Sequence, residues 1–223
     1  TITAEIVGTE TVAELKTLTT GAGDAITITV PAVGVSVSDL DALVLVTSEV
    51  INAAAVTDLT GSVSKIAGFL SGGQITNPTS MTATISEGSE TASSLTNLLS
   101  HGAVSSVDAG SVTEITGSID AITLIVGETS ITTKPDYAAT ADDAGTVGEI
   151  NVIKDDTDGV VTAQVSNTVT STLLGLNTAA TDVISIVVTD GTVTAANLTS
   201  ISTKTSVAVD ANAVSTITGS VEQ

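Results

Sequence analysis

The sequence predicts an α/β fold: a repetitive, solenoid-like array of short strands alternating with short helices, interrupted by hairpins. Three observations predict it. Two motifs recur along the 223 residues, one opening on Ser or Thr before spaced leucines, the other built on Thr-Gly-Ser. Strand-like stretches recur about 20–25 residues apart, the spacing of solenoid coils with one strand and one short helix each. Hydrophobic residues make up 42% of the chain but aromatics only 1%, with Phe69 and Tyr137 alone. A core of Val, Ile, Ala and Leu fills layers of one repeated shape, whereas a one-off globule needs large rings for irregular space. All-β repeat domains are the alternative fold.

The first motif reads TVAELKTLTT from Thr11 and SVSDLDALVLVTS from Ser36. It returns as TASSLTNLLSHG from Thr91, TVTSTLLGLNTAAT from Thr168 and TVTAANLTSISTKT from Thr192. Leu15 with Leu18, Leu40 with Leu43, and Leu95 with Leu98 carry helical spacing, and an opening Ser or Thr is a good N-cap. Leu15, Leu40, Leu95 and Leu198 are expected at equivalent core positions.

The second motif reads INAAAVTDLTGSV, VDAGSVTEITGSI and VDANAVSTITGSV. Val56, Leu59, Val63, Ile66 and Leu70 step along one helical face, as do Val112, Ile115, Ile119 and Ile122. Gly61, Gly117 and Gly219 then mark a break, because a glycine inside a helix costs about 1 kcal/mol against Ala. Ser62, Ser118 and Ser220 are placed to cap a second short turn. A bulged strand is the other reading, since Val, Thr and Ile prefer sheets.

Strands are expected in TITAEIV at Thr1, AITITV at Ala25, EVINA at Glu49, GQITN at Gly73 and MTATI at Met81. Others are AVSSVDA at Ala103, TSITT at Thr129, EINVIKD at Glu149, VVTAQV at Val160, VISIVV at Val183 and SVAVDA at Ser206. QITNPTSMTAT and INVIKDDTDGVVTAQV read as hairpins turning at Asn77-Pro78 and Asp158-Gly159. This divides the chain into a repeat array at 1–131 (one truncated and two full units), a loop or junction at 132–148, and a second array at 149–223. The second array is incomplete at its C-terminal end. Both ends read as cuts in a longer chain, because Thr1 opens directly into alternation and the last Thr-Gly-Ser copy stops partway.

Charge narrows the partners. There are 25 acidic residues against five lysines and no arginine, giving a net charge of −20. Nucleic acid and anionic membrane surfaces are excluded, since phosphate binding needs Lys or Arg. The absence of cysteine excludes a disulfide framework and thiolate metal sites. No apolar run approaches the roughly 18 residues of a membrane span, so membrane insertion is not expected. His101 is the only histidine and reads as a surface loop residue in LLSHGAV. With no G-x-S-x-G, no spaced histidines and no aromatic platforms for sugars, the sequence is that of a non-enzyme. GAGDAI at Gly21 lacks the lysine of a P-loop and precedes a strand.

Acidity leaves calcium as the candidate ligand. In KDDTDGV, Asp156, Asp158 and Gly159 match positions three, five and six of an EF-hand loop, but Lys154 takes the first ligand position and Val165 the twelfth. A turn with Asp-Gly at its tip is the simpler reading. Asp142, Asp143, Asp155, Asp156 and Asp158 are the carboxylates expected to hold calcium, between loops of neighbouring subunits.

TVTAANLTSIS and VDANAVSTITGS resemble the Thr-, Ala- and Val-rich repeats of very large bacterial surface proteins, notably cyanobacterial ones, labelled β-strand-repeat or haemolysin-type. The resemblance covers most of the chain outside Thr132 to Gly148. The calcium nonapeptide G-G-x-G-x-D is not present; SGGQIT at Ser71 is no copy of it. The resemblance implies an extracellular structural or adhesive role. The expected function is a segment of a filament, sheath or surface layer that assembles with itself end to end, the alternative being the stalk of an adhesin or phage fibre.

Overall fold

The computed structural model describes residues 2–21, 24–86 and 88–220. In chain order come β1 (Thr3–Ile6), α1 (Val12–Leu15), β2 (Ala25–Ile28), β3 (Gly34–Ser36), α2 (Val37–Val44) and β4 (Ile51–Asn52). Next are β5 (Asp58–Gly61), α3 (Val63–Ser71), β6 (Ile75–Thr76), β7 (Met81–Ile85), β8 (Ser89–Thr91) and α4 (Ala92–Leu99). Then follow β9 (Val104–Ala109), β10 (Glu114–Gly117), α5 (Ile119–Gly127), β11 (Ile131–Thr133), β12 (Ala138–Gly145) and α6 (Val147–Asp156). The last are β13 (Val161–Val165), α7 (Thr170–Leu173), β14 (Val183–Ser185), β15 (Thr192–Thr194), α8 (Ala195–Ser202) and β16 (Thr216–Thr218). The fold class is α/β, with several parallel sheets.

Every strand pairing among the described residues is parallel. Partners stand 20 to 25 positions apart, with Ala144–Gln164 and Ser89–Glu114 at the extremes. The chain forms two compact units. Unit 1 is Thr1–Gly88, Ser94–Val112 and Ser130–Thr133; unit 2 is Ser89–Ser93, Thr113–Thr129 and Lys134–Gln223. Unit 1 holds a sheet ordered β11-β9-β7-β5-β3 and the pairs β1-β2 and β4-β6; unit 2 holds β14-β13-β12-β10-β8 and the pair β15-β16.

Strand register builds the cores. Val35, Leu59, Ala83, Val107 and Ile131 lie opposite one another across five strands of unit 1, and all are buried. Ile115, Ala139 and Val161 form the same kind of column in unit 2. Alternation with period two keeps one side chain in and the next out, as in β7, and each buried Val, Leu or Ile contributes about 1.5–3 kcal/mol.

The helices have four to ten residues, too short to persist alone. Capping and burial hold them. Ser36, Ser62, Ser118 and Thr194 each accept the backbone N–H three residues on. Thr11 with Glu14 and Thr146 with Glu149 complete capping boxes. Leu15, Leu40 and Leu95 are buried, whereas Leu198 is only half-buried and Ile201 is the core residue of α8.

Several expectations are corrected. Neither expected hairpin forms: β6 pairs with β4, β7 with β5 and β9, and β13 with β12 and β14, all in parallel. The turn residues reverse the chain only to begin another parallel pass. EINVIKD is helical, in α6, its cap supplied by Thr146 and Glu149. In the Thr-Gly-Ser motif the residues before glycine are strand, and only those after Ser62 or Ser118 are helix. The stretch 132–148 is no loop: it contains β12, between β10 and β13, with a register shift between Thr140 and Ala144. In SVAVDA the sole pairing among described residues is a single bridge from Asp210 to Val187. The two compact units also follow a different line from the arrays at 1–131 and 149–223.

Candidate functional site

Of the five aspartates expected to bind calcium, Asp143, Asp155 and Asp156 each accept a hydrogen bond from a different segment. Asp142 and Asp143 project from β12, both exposed, and Asp143 Oδ1 accepts the Ile119 N–H at 2.7 Å. Asp155 Oδ1 accepts from Asn177 Nδ2 at 2.5 Å. Asp156 Oδ2 accepts the Tyr137 hydroxyl at 2.9 Å. Burial, then that hydrogen bond to a carboxylate, pushes the Tyr137 hydroxyl well above its ordinary pKa. Asp158 is tied down by its backbone N–H, given to the Pro135 carbonyl at 2.9 Å. Among the described residues no three His, Asp or Glu side chains stand where they could share a metal ion. The glycine after Asp158 has a packing reason: a Cβ on Gly159 would lie 2.1 Å from the Tyr137 carbonyl oxygen.

Sequence reasoning missed a different carboxylate. Asp182 is fully buried, and its Oδ1 accepts Lys154 Nζ at 3.3 Å and the Val161 N–H at 2.8 Å. Its Oδ2 accepts the Ala179 N–H at 2.8 Å. A buried charge needs both a counter-ion and hydrogen bonds, and Asp182 has them. Asp24 repeats the pattern in unit 1, with Oδ1 accepting the Ile2 N–H at 2.7 Å and Oδ2 the Gly21 N–H at 2.8 Å. These two hydrogen bonds from backbone hold its carboxyl below the usual range. The signal was present in sequence as an Asp standing just before AITI and VISI.

The same offset of 158 positions relates Thr20 to Thr178, Asp24 to Asp182 and Thr47 to Thr205. Thr47 Oγ1 donates to the Ile26 carbonyl and accepts the Glu49 N–H. Thr205 Oγ1 donates to the Ile184 carbonyl and accepts the Val207 N–H. Thr20 donates to the Val46 carbonyl as Thr178 does to that of Lys204. Residues 2–62 and 160–220 thus share these hydrogen bonds as two sequence-related copies, with the first strand one position later than the offset in the second, so that Val161 gives its N–H to Asp182 as Ile2 does to Asp24. Carboxylate–hydroxyl contacts join neighbouring strands as well: Asp58 accepts from Thr84 (and from Thr60 in its own strand), and Glu114 from Ser89 and Thr140.

Two depressions carry polar groups. One of about 320 Å³ lies beside His101, Val63, Ala67, Asn97 and Leu98 in unit 1. His101 Nδ1 accepts from its own turn, the Ala103 N–H at 3.4 Å. The other, about 500 Å³ and shallow, runs over Asp142, Asp143, Gln164 and Ser185 in unit 2. Neither brings a nucleophile, a base and an oxyanion donor together.

The exposed apolar positions are more informative. Ile217, at the centre of β16, is 61% exposed, while Leu59 and Ile115 at the same place in the other Thr-Gly-Ser copies are buried. Ile2 is 60% exposed, while Val161, its counterpart in the second copy, is buried. No family model, curated protein or solved structure matches this chain. Among the described residues no helix is long and apolar enough to cross a membrane.

Proposed function

We propose that this chain is a structural repeat segment of an extracellular filament, sheath or surface layer, assembling with further copies through its ends. The observation that carries the proposal is the run of parallel pairings with partners 20 to 25 residues apart. Such pairing makes each layer a platform for the next, and an array of this kind extends by adding layers. Sheet edges left open favour pairing with another chain. Negative-stain electron microscopy of concentrated protein tests it. Filaments or lattices with a regular axial period are expected. A monodisperse monomer under every cation condition overturns the proposal.

Calcium belongs to the same reading as a bridge between copies. A net charge of −20 repels the next subunit, and monovalent salt screens this only beyond about 8–10 Å. Asp142 and Asp143 are exposed carboxylates side by side on one strand, and a calcium ion takes oxygen ligands from more than one segment. Calcium is expected to promote assembly more than sodium at equal ionic strength. Equal sedimentation profiles in the two salts, and after chelation, remove calcium from the account.

A further inference from the structure

The edge of β16 and the edge of β1 fit each other by a template already present inside the molecule. In unit 1 the Thr-Gly-Ser strand β5 is covered by β7, with Asp58 opposite Thr82, Leu59 opposite Ala83, Thr60 opposite Thr84 and Gly61 opposite Ile85. β7 reads Met-Thr-Ala-Thr-Ile. Residues 2–6, spanning β1, read Ile-Thr-Ala-Glu-Ile, the same pattern with Ala at the centre. The edges agree too. β7 gives one edge to β5 and the other to β9, about 24 residues later, while among the described residues β1 pairs only with β2, 22 residues later. The other edge of β1 is thus the one that β7 turns to a Thr-Gly-Ser strand. β16 is such a strand, paired among the described residues with β15 alone.

We infer that β16 of one copy receives β1 of a second copy as a parallel strand, with Thr216 opposite Thr3, Ile217 opposite Ala4, Thr218 opposite Glu5 and Gly219 opposite Ile6. This rests on the self-assembly proposed above and specifies its interface. The pairing buries Ile217 together with the inward positions Ile2, Ala4 and Ile6. It sets the Glu5 carboxylate near the Thr216 hydroxyl, diagonal to it, as Thr84, at the place of Glu5, lies 2.6 Å from the Asp58 carboxylate, at the place of Thr216. Backbone geometry is ready for it: Gly219 has φ +151, close to the +142 of Gly117 at the same place in the covered strand β10. Residues 211–220 contain no ionisable side chain, so the strand that would face Glu5 carries no charge of its own.

The chain has no cysteine, which makes cross-linking selective. Ala4→Cys and Ile217→Cys proteins, mixed in equal amounts and mildly oxidised, are expected to give a disulfide-linked pair. A mixture of Ala4→Cys with Thr218→Cys, whose side chain points to the other face, is expected to give at least tenfold less. Ile217→Asp, at an exposed position, is expected to weaken association at least tenfold in sedimentation while leaving circular dichroism unchanged. Oligomers that persist in Ile217→Asp, with no preference between the two cysteine mixtures, overturn this pairing and leave the proposed function standing. Protein that stays monomeric at every concentration overturns both.

Discussion

Leu59 and Ile217 hold the same place in two copies of one motif, yet one is 1% exposed and the other 61%. The contrast extends along residues 2–62 and 160–220. Val37 and Leu40 are buried in α2, while their counterparts Ala195 and Leu198 in α8 are half-buried. Asp182 is buried with Lys154, while Asp24 keeps the same two backbone partners and stays accessible. What differs most is the neighbour. β5 lies under β7 and α2 packs beside α3; β13 lies beside β12, whereas β1 has one strand partner among the described residues. Each copy sets most of its own backbone and takes its burial from the strands and helices beside it.

The largest effect is expected where borrowed burial encloses a charge. Asp182→Ala leaves Lys154 without its buried counter-ion, which costs about 3–5 kcal/mol. Asp24→Ala is expected to change urea unfolding far less, because water replaces the lost bonds. Equal midpoints for the two variants would break the comparison. Next comes the apolar pair. Leu59→Ala empties a covered site and costs about 2–5 kcal/mol, whereas Ile217→Ala is expected within about 0.5 kcal/mol of the parent in dilute solution.

The buried threonines sharpen the contrast. Thr47→Val leaves a backbone carbonyl without its donor and an N–H without its acceptor, and Thr205→Val leaves these and also the Ile184 N–H, which Thr205 Oγ1 accepts at 3.0 Å. Each is expected to cost about 1–3 kcal/mol, and Thr205→Val the more. The smallest effect concerns pH. Hydrogen bonds from the backbone and then the side chain of Thr11 hold the Glu14 carboxyl below its ordinary 4.5, whereas the second copy has Thr172 at that place. A carboxyl with a lowered folded pKa stabilises above the unfolded value and loses that contribution as pH falls through the folded one. Glu14→Gln is therefore expected to reduce the loss of Tm between pH 6 and pH 3 slightly. An unchanged slope removes this capping box from the acid response.

The short helices were legible because their signals are local: a Ser or Thr cap and leucines three apart mark α2 and α4. The same kind of signal at Thr146 and Glu149 marks α6, but the alternation of Ile150 and Val152 with polar residues reads as strand. Leu59 sits at helical spacing from Val56 and Val63, yet its pairing with Val35 and Ala83 makes it strand. That information lies 24 residues away on either side. Ala138 and Ala139 hide β12, since alanine is a poor strand former and only its neighbours β10 and β13 favour it. Asp158-Gly159 announces a turn but not the direction of the strand that follows. Asp142, Asp143, Asp155, Asp156 and Asp158 are spread over β12, the end of α6 and the turn after it, and spacing in sequence does not show which of them a neighbouring copy would bring together. Asp182 escaped notice because only burial distinguishes it from the other aspartates.

Hydrogen–deuterium exchange of the intact chain at low and high concentration tests the central claim most directly. Amides of 58–61 are predicted to exchange slowly in both conditions, held under β7. Amides of 216–218 are predicted to exchange quickly in dilute solution and to slow at least tenfold when the protein is concentrated. Slow exchange of 216–218 in the dilute monomer, or fast exchange of 58–61, would contradict the view that what covers each copy sets its protection.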